Sequence, residues 1–211
     1  MEREVELLKQ AMTIEKEDTL AHTTAYIGVL NGQNLILVQS GIGKVNASII
    51  TALMLERYPV DYVINTGVAG AMGKNLQVTD MVVSTEVVHH DVDATNFGYV
   101  FGQVPSMPAS YSSDAKLGSL ALDIIAQNDE INGAKGLVVS GDSFIDSDSK
   151  KNVIYGNFKE ALCVDMESAS IAQTCYQFNT PFVIIRSMSD GADDTADMNY
   201  EEFLAKACVH S

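Results

Sequence analysis

The sequence predicts an α/β fold in which helices cover both faces of a mixed, largely parallel central sheet, giving a three-layer αβα sandwich. Segments typical of strands and of helices alternate along most of the chain. The segments YVIN, GLVVS and FVIIRS are apolar on both faces, as strands of a sheet covered on both sides must be. Because no linker, repeat or low-complexity tract interrupts the 211 residues, we expect a single domain over residues 1–211.

Helices are expected where apolar residues recur at a spacing of three or four. The first is amphipathic, since Val5, Leu8 and Met12 share one face. The second ends before Pro59, because proline cannot continue a helix. In chain order, the expected helices cover residues 2–12, 45–58, 114–127, 149–158 and 167–178, and the chain from Tyr200 onward.

Strands are expected at short apolar or β-branched runs. Asn31-Gly32 predicts a hairpin, because this dipeptide suits a tight two-residue turn. A strand at 62–66 should lead into a glycine-rich turn at 67–70. Since loops at the carboxyl ends of such strands form the usual ligand crevice, the loops 67–70, 140–145 and 189–193 are expected to share one site. The expected strands cover residues 24–30, 34–39, 62–66, 81–88, 136–140 and 182–188.

The composition excludes several classes of function. A net charge of −15 disfavours binding to a nucleic-acid polymer, which needs a basic surface. The sequence contains no run of about eighteen apolar residues, so no membrane span is predicted. The amino terminus also lacks the apolar block of a secretory signal. The three cysteines, Cys163, Cys175 and Cys208, have no paired spacing, which indicates reduced thiols and a cytoplasmic location.

Three short motifs resemble known sites but lack a required feature. SGIGKVN has Val45 after Lys44 where a phosphate-binding loop needs Ser or Thr, so a tight strand-to-helix turn is the better interpretation. Adjacent residues of HHD on a strand point to opposite faces and cannot bind one ion together. GDSF is not the GxSxG motif of a serine hydrolase. We expect neither a metal nor a cofactor.

Carboxylates stand at the carboxyl ends of two predicted strands. In Val164-Asp165-Met166-Glu167 they end a strand and open a helix, and Asp190 follows the last strand. Glu167 could be a first-turn residue stabilised by the helix dipole, and Asp190 could be a cap or turn residue. Each could equally be functional, and from these residues alone both interpretations stay open.

Taken together, segments along nearly the whole chain resemble the 5′-methylthioadenosine/S-adenosylhomocysteine nucleosidases, within the wider purine nucleoside phosphorylase superfamily. In family order they are MEREVELL, SGIGKVNAS, INTGVAGAM, HHDVDATNFGYVFGQVP, VSGDSFI, VDMESASIA and VIIRSMSDGAD. The resemblance implies a phosphorylase/hydrolase-like fold and hydrolysis of the N-glycosidic bond of both thioethers, which releases adenine and the thioribose product. It also implies that a first strand and the end of the last helix are missing here.

The resemblance implies three catalytic carboxylates. Asp190 would donate a proton toward adenine N7, and Glu4 would position and deprotonate the attacking water. Glu167 would hold the ribose hydroxyls. These roles fit the chemistry, since cleavage of the C–N bond places negative charge on the departing base and positive charge on the sugar.

The resemblance also implies the residues that bind the substrate. Met166 would pack against the sugar, Phe144 would stack on adenine, and the backbone of Ile145 would contact the edge of the base. Ser189 and Arg186 would orient the acid and the ribose-binding glutamate. The remaining positions expected to bind substrate are Ile42, Val68, Ala69, Gly70, Asp165 and Ala192. Asp165 and Val68 depart from the glutamate and the serine common in the family.

A homodimer is implied as well, in which Phe97 and Pro105 of one subunit close the 5′-alkylthio pocket of the other. Tyr200 stands where the family carries an aromatic lid residue. The partners expected are therefore a nucleoside thioether, water and a second copy of the chain, with no nucleic acid and no membrane.

Two alternatives to hydrolysis remain. A phosphorylase must hold a phosphate dianion, which calls for arginines, and this chain has only Arg3, Arg57 and Arg186. The strand before the glycine-rich segment carries no cation, so hydrolysis is favoured. A nucleoside-binding sensor without catalysis is disfavoured because Glu4, Glu167 and Asp190 are all present.

Overall fold

A computed structural model describes residues 2–73, 75–128 and 131–193, with side chains from Val5 onward. The α-helices in these residues are α1 (Glu2–Ala11), α2 (Lys44–Arg57), α3 (Ala115–Ile125), α4 (Asp148–Asn157) and α5 (Ser168–Phe178). The strands are β1 (Thr13–Leu20), β2 (Thr23–Leu30), β3 (Gln33–Val38), β4 (Val63–Ala71), β5 (Met81–His89), β6 (Tyr111–Ser112), β7 (Gly133–Ser140), β8 (Ala161–Asp165) and β9 (Phe182–Asp190). Among the helices described, none combines the length and the apolar character that crossing a membrane requires.

The central sheet has the strand order β6-β5-β7-β8-β4-β9. Its long pairings, β5 with β7, β7 with β8 and β4 with β9, are parallel. The pairings of β4 with β8, β5 with β6 and β5 with β9 are antiparallel and short. Because β9 also pairs with β5, five of the strands close on themselves. The predicted mixed, largely parallel sheet is confirmed.

Side chains that alternate along the central strands bury two separate cores. Val82 and Ile184 pack in a core with the α5 residue Ala172. Their neighbours Val83 and Val183 pack on the other face, against α3. Since successive side chains of a strand point to opposite faces, helices cover the sheet on both sides. This is the three-layer arrangement that the sequence predicts.

The predicted hairpin at Asn31-Gly32 joins β2 and β3, with Leu30 opposite Gln33. Asn31 and Gly32 have φ values of 50° and 79°, both positive as a type I′ turn requires. The strand β1, which pairs with β2, was not predicted. Half of the residues in its sequence, TIEKEDTL, are charged and most are exposed, so the strand carries no apolar alternation.

The predicted glycine-rich turn at 67–70 is wrong, because these residues continue β4. The strand runs parallel to β9 from Val63, opposite Phe182, to Val68, opposite Ser187. A Cβ atom on Gly70 would lie 2.9 Å from Asp190 Oδ1 and 2.9 Å from Ala192 Cβ. Glycine is therefore needed here to leave room for the Asp190 side chain and Ala192 rather than for a turn.

Candidate active site

A small cavity lies at the carboxyl ends of β4, β8 and β9. It brings together the three segments that the sequence predicts to share a site. Its lining residues are Gly70, Ser143, Phe144, Ile145, Val164, Asp165, Met166 and Asp190. Six of these were expected to bind substrate or act in catalysis, and Ser143 and Val164 are additional.

Asp190 is the last residue of β9 and is only 2% exposed. Its Oδ1 accepts a hydrogen bond from the Ala192 N–H at 2.8 Å, and its Oδ2 accepts one from the Ser189 hydroxyl at 2.6 Å. Burial raises the pKa of the Asp190 carboxyl above its ordinary value, and these two hydrogen bonds oppose that rise only in part. A carboxyl group in this setting can hold a proton and donate it.

The backbone around Asp190 is held from two sides. Ser189 Oγ also lies 3.3 Å from the carbonyl oxygen of Ala69 in β4. On the other side, Lys151 of α4 donates a hydrogen bond of 2.5 Å to the carbonyl oxygen of Gly191. The contact of Ser189 with Asp190 is the one expected from the sequence.

Glu167 stands at the start of α5 but does not cap that helix with its side chain. Its Oε1 instead accepts a hydrogen bond of 2.8 Å from the N–H of Gly43, the residue before α2. Burial, followed by the negative charge of Asp165, raises the pKa of Glu167. The carboxylate therefore joins two distant segments, and Glu167 directly follows Met166, which lines the cavity.

Asp165 and Arg186 form an ion pair in the interior, with 2.7 Å between Arg186 Nε and Asp165 Oδ2. Asp165 also accepts hydrogen bonds from the hydroxyls of Ser140, at 2.5 Å, and Ser168. Although burial alone would raise the pKa of Asp165, the Arg186 charge and these hydrogen bonds hold it below its usual value.

The ion pair corrects the expected partner of Arg186, which donates to Asp165 rather than to Glu167. Its Nη2 also donates to Asn65 Oδ1 at 2.5 Å. A buried guanidinium needs a carboxylate beside it, and Asp165 meets that need. Asp165 was expected to bind substrate, but its oxygens are engaged within the protein although it lines the cavity.

Several expected site residues lie away from this cavity. Ile42, before α2, is 60% exposed, and Phe97, on a 3₁₀ turn, is 83% exposed. Pro105 is also exposed. Glu4 lies on α1, but its side chain is outside the part of the chain that the structure describes, and Tyr200 lies outside the described residues altogether. Val68, which follows Gly67 in β4, is half-buried.

Sequence reasoning missed Gly43 and Asn65 as contributors to this region. SGIGKVN was correctly interpreted as a strand-to-helix turn, yet the turn also supplies the N–H that holds Glu167. Gly43 and Glu167 are 124 positions apart in the sequence, so no local pattern could have paired them.

Comparison with known proteins shows the family to which this chain belongs. A family model described as the phosphorylase superfamily matches residues 1–210. The 5′-methylthioadenosine/S-adenosylhomocysteine nucleosidase of Anoxybacillus flavithermus is 47% identical over 211 residues, which are 100% of this chain and 91% of that protein. The chain belongs to this nucleosidase family.

Crystal structures of two nucleosidases of the family match the fold. The enzyme from Neisseria meningitidis, in complex with methylthio-immucillin-A, gives a TM-score of 0.96 at 46% identity and covers 99% of this chain and 90% of its own. The enzyme from Colwellia psychrerythraea, in complex with adenine, gives a TM-score of 0.96 at 43% identity, with coverage of 100% and 88%. The family and the fold class predicted from the sequence are confirmed.

Proposed function

We propose that this protein hydrolyses the N-glycosidic bond of 5′-methylthioadenosine and S-adenosylhomocysteine, releasing adenine and the corresponding thioribose. The observation that carries the proposal is Asp190, a buried carboxyl with a raised pKa at the cavity where three strands of a nucleosidase-family fold end. The family relatives bear the names of these two substrates, and the Colwellia psychrerythraea structure holds adenine.

In the proposed reaction, Asp190 transfers its proton toward N7 of adenine as the C–N bond breaks. The electron pair of that bond leaves with the base, which the added proton neutralises. A water molecule, positioned and deprotonated by Glu4, supplies the hydroxyl that bonds to the sugar. Burial raises the pKa of the Asp190 carboxyl, which favours the protonated form that this step requires.

The sugar and the base each have a proposed binding surface. One oxygen of Glu167 is held by the Gly43 N–H, and the carboxylate is proposed to accept hydrogen bonds from the ribose hydroxyls. A negative carboxylate at this position also stabilises the positive charge that develops on the sugar. Met166 would pack against the sugar, Phe144 would stack on adenine, and the Ile145 backbone would contact its edge.

The surroundings of the described arginines favour water over phosphate as the nucleophile. Arg186 is 2% exposed and is bonded to Asp165 and Asn65. Arg57, at the end of α2, donates to the carbonyl oxygen of Thr19. Neither guanidinium lines the small cavity, whereas a phosphate dianion requires strong cationic donors beside the sugar.

We also propose that the protein is a homodimer whose subunits complete each other's sites. A groove of about 660 Å³ beside α2 and α5 includes Val45, Ile49 and Phe178, all exposed to solvent although apolar. Val104, next to Pro105, lines the same groove. A second copy covering these apolar side chains would bring Phe97 and Pro105 to the neighbouring 5′-alkylthio pocket.

The proposed location is the cytoplasm. Cys163 and Cys175 are both free and buried, as thiols of a reducing compartment are. Burial raises the pKa of the Cys175 thiol to about 12, so it carries little reactive thiolate. Subcellular fractionation with an antibody to the protein checks this expectation, and recovery in a secreted fraction would contradict it.

The reaction is tested by measuring release of the free base, which is adenine from both thioethers and from adenosine and hypoxanthine from inosine, with and without phosphate. We expect both thioethers to release adenine at rates that do not depend on phosphate. A strict requirement for phosphate, with formation of a ribose 1-phosphate product, would overturn the proposed hydrolysis in favour of phosphorolysis.

A further inference from the structure

The amino end of α2 is fastened by carboxylates from distant loops. Gly43 precedes the helix with φ 89° and has no side chain with which to cap it. Its own N–H donates to Glu167, and the N–H of Lys44 donates to Asp142 Oδ1 at 2.9 Å. The first N–H groups of a helix need such acceptors, and here they come from the segments that follow β7 and β8.

Three charged side chains join these loops to one another. Lys44 Nζ lies 2.8 Å from both oxygens of Asp91, which follows β5. Asp91 Oδ2 accepts a hydrogen bond of 3.0 Å from the N–H of Asp142, which follows β7. Lys44 Nζ is also 3.8 Å from Asp142 Oδ2. We call Lys44, Asp91 and Asp142 the Lys44 cluster.

Close packing leaves the loops of the Lys44 cluster little freedom to shift. A Cβ atom on Gly141 would lie 2.5 Å from two ring atoms of His90 and 3.0 Å from Asp91 Cγ. The N–H of Gly141 also donates to the carbonyl oxygen of Asp165 at 3.1 Å, which ties the same loop to the end of β8. The Lys44 cluster thus links α2 to β5, β7 and β8.

The Asp91 carboxylate keeps its charge in this arrangement. Burial would raise its pKa, but the Lys44 ammonium and the N–H of Asp142 hold the pKa below the ordinary value. The Asp91 carboxylate is therefore negatively charged throughout the neutral range. No member of the Lys44 cluster lines the small cavity that contains Asp190.

We propose that the Lys44 cluster is a set of positioning residues that fix the Gly43 N–H and, through it, the carboxylate of Glu167. This inference rests on the ribose-binding role proposed for Glu167. Loss of the cluster should displace Glu167 and weaken the hold on the ribose, while Asp190 keeps its surroundings. A small displacement of a substrate-binding group lowers the rate by as much as about 100-fold.

The primary test compares Asp142→Ala with Asp142→Asn. Alanine removes the acceptor of the Lys44 N–H, and we expect kcat/KM for 5′-methylthioadenosine to fall by about 10- to 100-fold. Asparagine keeps an oxygen at that position and should restore most of the activity. The matched control is Asp146→Ala, which removes another partly exposed carboxylate of the same loop, paired at 2.7 Å with Lys150. It should leave kcat/KM close to that of the wild type.

A double-mutant cycle separates positioning from a general structural effect. If the Lys44 cluster acts through Glu167, Asp142→Ala should cause little further loss in a Glu167→Ala background. Losses that multiply in the double variant would overturn the positioning role while leaving the role of Glu167 intact. A Glu167→Ala variant with unchanged kcat/KM would instead overturn the proposed role of Glu167 itself.

Two further measurements test whether the loss of activity in Asp142→Ala has a cause other than displacement of Glu167. Because Lys44 and Asp142 line the groove proposed to hold a second copy, light scattering should show the same molar mass for wild type and Asp142→Ala. In a plot of kcat/KM against pH, the fall in activity that we expect from deprotonation of Asp190 should occur at the same pH in wild type and Asp142→Ala. A changed molar mass, or a fall at a different pH, would contradict an action through Glu167 alone.

Discussion

Asp165 and Asp190 are buried aspartates at the carboxyl ends of β8 and β9, and both line the same cavity. Asp165 lies 2.7 Å from the Arg186 guanidinium and accepts hydrogen bonds from two serine hydroxyls. Among the described residues, Asp190 accepts hydrogen bonds from the Ser189 hydroxyl and the Ala192 N–H, and the nearby ammonium of Lys151 donates to Gly191 instead.

The pKa values of these two residues shift in opposite directions. Burial raises the pKa in both, but at Asp165 the adjacent guanidinium reverses the effect, and at Asp190 no such cation is in contact among the described residues. The surroundings thus favour the charged form of Asp165 and the protonated form of Asp190, although the two side chains are identical and line one cavity. The comparison shows that the partners of a buried carboxyl, and not burial alone, decide the direction in which its pKa shifts.

The largest expected effect comes from Asp190→Asn. Asparagine keeps the shape of the side chain but cannot transfer the proton to adenine, so kcat should fall by about 10²- to 10⁴-fold. Substrate binding, measured by calorimetry with 5′-methylthioadenosine, should be retained. Unchanged turnover would refute the role of Asp190 as the acid, and Asp190 would then not differ from Asp165 in function.

Asp165→Asn should affect stability first. It leaves the Arg186 guanidinium buried without a full negative charge, which costs about 3 kcal/mol in the free energy of unfolding. The free energies of unfolding of this variant and of Asp190→Asn are compared by urea denaturation near pH 7. If Asp165→Asn is as stable as the wild type and yet inactive, then Asp165 contacts substrate as the sequence first suggested.

The dependence of stability on pH should also differ between the two aspartates. Since the pKa of Asp190 is raised in the folded state, its contribution to stability declines as the pH rises from the ordinary aspartate pKa through the raised one. Asp165 contributes stability above the ordinary pKa, and this is lost as the pH falls through its lowered value. Each group changes the free energy of unfolding by at most about 1.4 kcal/mol per pH unit.

This behaviour is measured as the free energy of unfolding against pH for the wild type and for Asp190→Asn. The variant should gain stability relative to the wild type as the pH rises past the ordinary aspartate range. Parallel curves for the two proteins would mean that the pKa of Asp190 is the same in the folded and unfolded states.

The smallest effect is expected from Lys151→Met. The substitution removes the hydrogen bond to the Gly191 carbonyl, at a cost of about 1 kcal/mol. It also removes a positive charge that lowers the pKa of Asp190, so the alkaline limb of kcat/KM should move to higher pH. A limb that moves to lower pH would show that Lys151 influences Asp190 in another way.

Local signals in the sequence predicted much of the fold. The apolar run of β9 was predicted at residues 182–188 and extends to Asp190, and the turn at Asn31-Gly32 was placed correctly. Apolar alternation and turn dipeptides act between near neighbours in the chain, so they can be recognised without a structure. Where the pattern is misleading, as in the charged strand β1 or the glycines of β4, the prediction failed.

By itself the sequence determined the alternation of strands and helices, the family, and the presence of Asp190 at the end of a strand and of Glu167 at the start of a helix. Only the tertiary structure decided which groups these side chains meet. Arg186 contacts Asp165, 21 positions away, and Glu167 contacts Gly43, 124 positions away. Such contacts depend on how the strands and helices pack, because the energy of a buried charge is set by its neighbours in space rather than in sequence.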